Sequence, residues 1–310
     1  MTLIDREIRG PDNIHVSENE KLEKKIQELE TELEQKNQDL RIYKKELSEA
    51  NVQLEKLIIQ VNDQLQQSLK LQKFLVPTEF PNIPGFEFST KFSSSSISGG
   101  DYFDIFEHFD KMRFGLFLSS ASGYGMSSLF LSVLMKLNYQ IEDSKNNDPA
   151  WVMKEIYQEL MRESKAGDQA GIFYGVFDRR KFQLNFCNIG QPLSIHYQAA
   201  TGKIQLLEGV AEPFSNPLDE NRPVIEQNSI DLDPNDKLVF CSSGFLSLMN
   251  SDGDLWGIDE ILSLIKLHVK KDVHELRNEI FYQASKFSKD QPKDLTVIVT
   301  EVKDRIMKLA

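Results

Sequence analysis

Chemistry in this chain has to come from a small set of acids, serines and glycines. Ser98-Gly99-Gly100-Asp101 sets two residues without side chains directly before a carboxylate, so the backbone there can turn sharply or pack closely. Downstream, Ser119 to Gly125 make a polar, glycine-containing elbow whose hydroxyls, on Ser119, Ser120, Ser122 and Tyr124, include no strong acid, base or metal ligand. Such hydroxyls commonly bond nearby amides in turns. The five histidines, His15, His108, His196, His268 and His274, show no ligand spacing, and neither Cys187 nor Cys241 forms a catalytic dyad with one of them.

The elements that must hold these residues are legible from periodicity. Met112 to Leu118 is a short apolar run, as expected of a buried strand. Beyond the elbow, Leu129, Phe130, Val133, Leu134, Leu137 and Ile141 fall at helical spacing. The stretch from Ile97 to Leu137 thus reads as a strand running through an elbow into a helix, a common mounting for an active site. Ile172 to Phe177 and Phe182 to Cys187 read as a hairpin turned at Asp178-Arg179-Arg180-Lys181. Leu193, Ile195 and Tyr197 alternate toward a turn at Thr201-Gly202, and Ile204 and Leu206 return. Pro234-Asn235-Asp236 turns into Leu238 to Cys241, which ends at Ser242-Ser243-Gly244. A helix from Ile258 to His268 follows, then one opened by Asp272 with Glu275 three residues on, and Leu295 to Thr300 is the closing strand. The expected class is α+β, with two sheets flanked by helices.

The N-terminal part differs in character. Residues 1–16 read as a flexible leader, 17–76 as one coiled-coil helix, 77–85 as a Pro-rich linker, and 86–310 as the globular domain. From Leu22 through Ile26, Leu29, Leu33, Lys36, Leu40, Tyr43, Leu47, Ala50, Leu54 and Leu57 to Val61, steps of four and three alternate, which is a heptad seam. At ~1.5 Å per residue the helix runs on the order of 70 Å, and so long a seam needs a partner. A step from Val61 to Leu65 and Leu69 resembles a stutter, where the supercoil should locally unwind.

A formal charge of −12 argues against nucleic acid and against anionic membrane surfaces as partners. With only Cys187 and Cys241, both in apolar runs, the expectation is a reduced compartment. The start has neither a basic region nor an apolar one, and no run is long enough to span a bilayer, so a cytoplasmic location is expected.

Residues from about 71 to 303 resemble the metal-dependent protein phosphatase (PPM) superfamily, in its SpoIIE-like bacterial branch. Gly99-Gly100-Asp101-Tyr102-Phe103-Asp104 is similar to the GGDYYD signature, and Ser120 to Gly125 resembles DxSGHG. Tyr174 to Asp178 and Ile189-Gly190-Gln191-Pro192 match the central hairpin and the AGHPP segment. Asp233 to Leu238 resembles the approach to the TDG turn, and Asp294-Leu295-Thr296 the final DDxT. The lead-in Leu71-Gln72, Leu75-Val76-Pro77 and Ile83-Pro84-Gly85 is similar as well. The resemblance implies a sandwich of two central antiparallel sheets with helices outside, and hydrolysis of phosphoserine or phosphothreonine with two Mn²⁺ or Mg²⁺ ions.

Carried over residue by residue, the resemblance also implies that the metal positions are degenerate. Ser120 stands at the Asp of DxSGHG, with Ala121 after it and Tyr124 at the His; Ser243 stands at the Asp of the TDG turn, and Lys293 at the first Asp of DDxT. Retained acids are Asp101, Asp104 and Asp294. Neutral serines cannot offset two divalent ions held ~4 Å apart, and Lys293 adds a further positive charge. The expectation is therefore a pseudophosphatase with no catalytic residues and no cofactor. It dimerises through residues 20–65 and binds a protein partner, by analogy a STAS-type anti-sigma-factor antagonist. In this reading Lys293, Ser120, Ser122, Ser243 and Gly123 could bind a phosphorylated side chain. The alternatives are a weak or divergent phosphatase using Asp101, Asp104 and Asp294 with one metal, Mn²⁺ or Mg²⁺, and a purely structural coiled-coil scaffold.

Overall fold

The computed structural model describes residues 12–75, 80–95, 100–121, 148–163, 167–190, 193–210, 212–215 and 224–303. The chain divides into two units, residues 1–66 and 67–310. The described residues of the first belong to α1, an unbroken helix Asp12–Leu75 whose last residues, from 67 on, are counted with the second unit. It runs through the expected stutter without interruption. No Pro or Gly occurs within it, and Glu, Lys and Gln, all good helix formers, fill the positions between the seam residues. From Leu22 to Val61 the leucines, isoleucine and valine of the seam are each more than half exposed. Helix propensity alone does not account for so much apolar surface on one stripe.

The second unit is built on two antiparallel sheets. Sheet 1 has the order β1-β11-β10-β6-β7, from β1 (Phe86–Ser93), β6 (Leu193–Gln198), β7 (Lys203–Leu206), β10 (Lys237–Cys241) and β11 (Leu295–Val302). Sheet 2 has the order β2-β3-β4-β5-β9, from β2 (Tyr102–Glu107), β3 (Arg113–Ala121), β4 (Gln169–Asp178), β5 (Gln183–Ile189) and β9 (Asn228–Asp231), with the short β8 (Phe214–Ser215) also on β4.

Strand alternation sorts the apolar side chains into three layers. Leu116, Leu118, Phe173 and Phe177 of sheet 2 meet Leu238, Phe240, Ile298 and Val302 of sheet 1 in the central core. On the far face of sheet 2, Phe117, Tyr174 and Val176 pack against Val152, Ile156 and Leu160 of α2 (Pro149–Glu163). On the far face of sheet 1, Ile195, Val239, Val297 and Val299 pack against α3 (Ile258–His268) and α4 (Val273–Phe287). Asp272 caps α4 by accepting from the backbone N–H of His274 and Glu275.

Two local expectations are corrected. Phe182 does not open β5 but sits in the preceding turn at φ 51°, because the hairpin register pairs Asp178 with Gln183. Ser119, Ser120 and Ala121 are not elbow residues: they continue β3, paired with Ile172, Gly171 and Ala170. Ser122 to Gly125 and the helix expected over Leu129 to Ile141 lie outside the described residues.

Candidate functional site

The site forms where three inward-facing rows of side chains change from apolar to polar. On β3 the row Leu116, Leu118 continues to Ser120; on β10 the row Leu238, Phe240 continues to Ser242; on β11 the row from Ile298 reaches Thr296. Asp101 extends the inward row of Phe103 and Ile105 one step before β2 begins. These groups lie between the sheets, and all four are buried.

Their hydrogen bonds cross from sheet to sheet. Ser120 Oγ of sheet 2 donates to Asp101 Oδ1 at 3.1 Å. Thr296 Oγ1 of sheet 1 donates to Asp101 Oδ2 at 2.7 Å. Ser243 N–H, at the end of β10, donates to Ser120 Oγ at 2.9 Å. Ser242 Oγ accepts from Thr296 N–H at 3.0 Å and donates to the Asp294 carbonyl at 3.3 Å.

Asp294 clasps the connection between β1 and β2. Its Oδ1 accepts from Ser95 N–H at 2.7 Å, and its Oδ2 from Gly100 and Asp101 N–H at 2.9 and 3.2 Å. These amides fill acceptor positions on both of its oxygens. Gly244 is required beside it, because a Cβ there would stand 1.9 Å from the Asp294 carbonyl oxygen.

Two buried carboxylates this close repel, and Asp101 carries the consequence. Burial, then the neighbouring Asp294 charge, push its carboxyl up to about 7, against the pull of hydroxyls from Ser242, Thr296 and Ser120. Asp104 is different: its parity on β2 is that of Tyr102 and Phe106, which pack on the far face of sheet 2. Burial raises its carboxyl too. The structure thus joins Asp101 with Asp294 and separates Asp104 from both.

The remaining expected residues are placed as follows. Ala121 ends β3, half-buried. Ser243 is half-buried and reaches the cluster through its backbone N–H. Lys293 is exposed, while its neighbour Asp294 turns inward. Ser122 and Gly123 lie outside the described residues. Thr296, Ser242 and Ser95 belong to the site although residue-type reasoning passed over them. The signal for the first two was parity, since each continues an apolar inward row by two residues.

The donor set can be tested against a two-metal centre. Hard divalent ions take oxygen ligands, and a pair of them needs anionic oxygens around and between. Here Ser120 directs its hydroxyl at Asp101, Ser243 presents an N–H donor, and Lys293 is exposed. Both oxygens of Asp101 accept from hydroxyls and both of Asp294 accept from amides. Among the described residues no group of three or more His, Cys, Asp or Glu side chains converges as a metal site. These residues do not fit a two-metal centre.

Two antiparallel sheets packed face to face between helices, with a polar cluster at the strand ends that bridges them, define a domain of the PPM-type phosphatase fold. A profile of the family Stage II sporulation protein E (SpoIIE) matches residues 110–303, and the chain belongs to that family. Solved structures agree on the fold. The SiaA-PP2C domain of Pseudomonas aeruginosa is similar at TM-score 0.63 and 16% identity, over 79% of this chain and 97% of that one. The RsbU and RsbW domains of a Mycobacterium tuberculosis protein are similar at TM-score 0.59 and 15% identity, over 74% of this chain and 63% of that one. A structure of the PP2C phosphatase domain and a fragment of the regulatory domain of SpoIIE from Bacillus subtilis is similar at TM-score 0.54 and 14% identity, over 70% and 63%. No curated protein matches the chain.

Proposed function

We propose that this chain is a pseudophosphatase: a SpoIIE-family domain that binds a regulatory protein without turning it over, and that dimerises through α1. The observation that carries the reading is Ser120. It occupies the position where the family resemblance calls for a metal-binding carboxylate, and its hydroxyl instead ties Asp101 to the backbone of Ser243. With a neutral hydroxyl there, and Lys293 exposed, no anionic cage remains to hold two cations and generate an attacking hydroxide.

The partner class follows from the family resemblance: a STAS-type regulator, met in the cytoplasm, in its phosphorylated or unphosphorylated form. Lys293, exposed at the edge of the polar cluster, supports a reading of phosphate in which the charge attracts and nothing hydrolyses. Among the described residues no helix is long and apolar enough to cross a membrane.

Manganese tests the reading directly. A site occupied at 100 times its Kd adds ~2.7 kcal/mol to stability, which a thermal melt resolves. Millimolar Mn²⁺ should leave the melting temperature unchanged, give no heat in calorimetry and confer no hydrolysis of p-nitrophenyl phosphate. A metal-dependent rise abolished by Asp101→Asn would establish a divergent phosphatase instead. Restoring Ser120→Asp, Ser243→Asp and Lys293→Asp together should recover metal binding if only the ligands were lost.

A further inference from the structure

We infer a second binding site, for an arginine side chain of a partner protein, in the cleft where β5 parts from β9. It is separate from the Ser120–Asp101–Thr296 cluster and does not depend on whether that cluster turns over phosphate. β9 pairs with β5 only as far as the Phe186–Asn228 rung. Residues 224–227, just before β9, run outside the sheet. Cys187, Asn188 and Ile189 at the end of β5 thus become the floor of a cleft of about 320 Å³. Clefts of this volume are at the lower end of the range that holds small ligands, ~300–1,000 Å³.

Both walls are pegged to that floor, so the cleft is preformed. On one side Asn188 Nδ2 donates to the Leu207 carbonyl at 2.9 Å. Val210 N–H donates to the Asn188 carbonyl at 2.8 Å, and Gly190 N–H to the Val210 carbonyl at 2.9 Å. Between these bonds Gly209 lies so near the floor that a Cβ would stand 2.0 Å from the Asn188 carbonyl oxygen. On the other side Cys187 Sγ donates to the Glu226 carbonyl at 3.3 Å. Asn228 Nδ2 reaches across to the Glu208 carbonyl at 3.3 Å and ties the two walls together.

The lining combines two chemistries. Ile189 and Ile225 are buried, and Val224 is 72% exposed at the lip. Glu208 and Glu226, one from each wall, are exposed, and neither has an ion-pair partner among the described residues. No residue of the lining is basic. An aliphatic stem that ends in a cation matches this surface, since its methylenes cover the valine and isoleucines while its charge meets both carboxylates. Arginine suits it better than lysine, because its planar guanidinium offers five N–H donors to acceptors on opposite walls. Ile189 pairs with Ile172, which pairs with Ser119, so the floor lies two strands, about 10 Å, from the end of β3. One extended segment of a partner spans that distance with about three residues, so the cleft and the polar cluster are within reach of the same partner.

Methyl NMR of the full chain tests the site, with N-acetyl-arginine amide as the probe and N-acetyl-citrulline amide as its uncharged control. In a millimolar titration the arginine probe should give saturable shifts at the methyls of Ile189, Val210, Val224 and Ile225, and the citrulline probe should give none. Glu208→Gln and Glu226→Gln together should weaken binding about tenfold and leave the melting temperature unchanged, because both side chains are exposed. Val224→Arg sets a guanidinium at the lip of the cleft and should block the probe, again without harm to the fold, since Val224 faces solvent. Equal shifts from both probes would overturn the inference, because charge would then play no part. Shifts spread over the acidic surface instead of these four residues would overturn it as well, as would arginine binding that survives Val224→Arg or the double glutamine variant.

Discussion

Replacing Asp101 by Asn should make the protein less sensitive to pH and more stable above neutrality. The carboxyl of Asp101 stands at about 7 in the fold against an ordinary 3.8, chiefly through burial and then through the Asp294 charge. A carboxyl raised in the folded state binds more protons there than in the unfolded chain between these two values. Stability from this group is therefore full at acid pH, falls as pH rises from about 4 to 7, and is lost above that range. A shift of about three pH units corresponds to ~4 kcal/mol across the whole window. Asn keeps the shape and can bond the Ser120 and Thr296 hydroxyls, yet carries no proton to lose. Urea unfolding at pH 5 and pH 8 measures the effect. Between them the unsubstituted chain crosses about two of those three units and should lose ~3 kcal/mol relative to Asp101→Asn, with Asp104 contributing equally to both and so cancelling. Manganese should not alter either curve, because a bound cation would instead pull the Asp101 carboxyl down. The reasoning is refuted if Asp101→Asn is the less stable protein at pH 8, or if manganese abolishes the difference.

Two further outcomes follow from the same geometry. Ser120→Ala removes the donor to Asp101 and the acceptor of Ser243 N–H from a buried position, and should cost ~2 kcal/mol in denaturant melts with no change in metal response. A cost under a few tenths would show that the cross-sheet network contributes nothing to the fold. Leu40→Asp places a charge in the seam and should convert the dimer to a monomer in light scattering while leaving the melt of the second unit unchanged. A chain begun near Lys70 should behave the same way, and a persistent dimer in either case would place the interface on the globular unit.

Much of the architecture was present in local patterns. The heptads of α1, the span Ile258–His268 and the Asp272 cap of α4 were readable because helix periodicity and capping act within a few residues. The strands from Arg113, Leu193 and Leu295 were readable from short runs bounded by turns, although their ends were not. Ser120 reads as an elbow residue because Ser and Gly are turn formers, whereas nine paired residues with β4 hold it in the strand. The family motifs located the polar positions, and the resemblance alone gave them meaning.

What the sequence by itself determined, then, is the set of residue types and the parity of each strand: two sheets, and serines where carboxylates were expected. Only the tertiary structure decided which acids meet. Asp101 and Asp294 are 193 residues apart and become neighbours because β11 enters sheet 1 beside the approach to β2. Asp104, three residues from Asp101, is carried to the other face of its sheet because successive strand side chains point to opposite sides. Asp294 rather than Lys293 faces inward, where three backbone N–H groups donate to its carboxyl oxygens. Sequence order carries no record of these meetings, because each depends on sheet packing and on the cost of leaving a charge unsatisfied between two apolar layers.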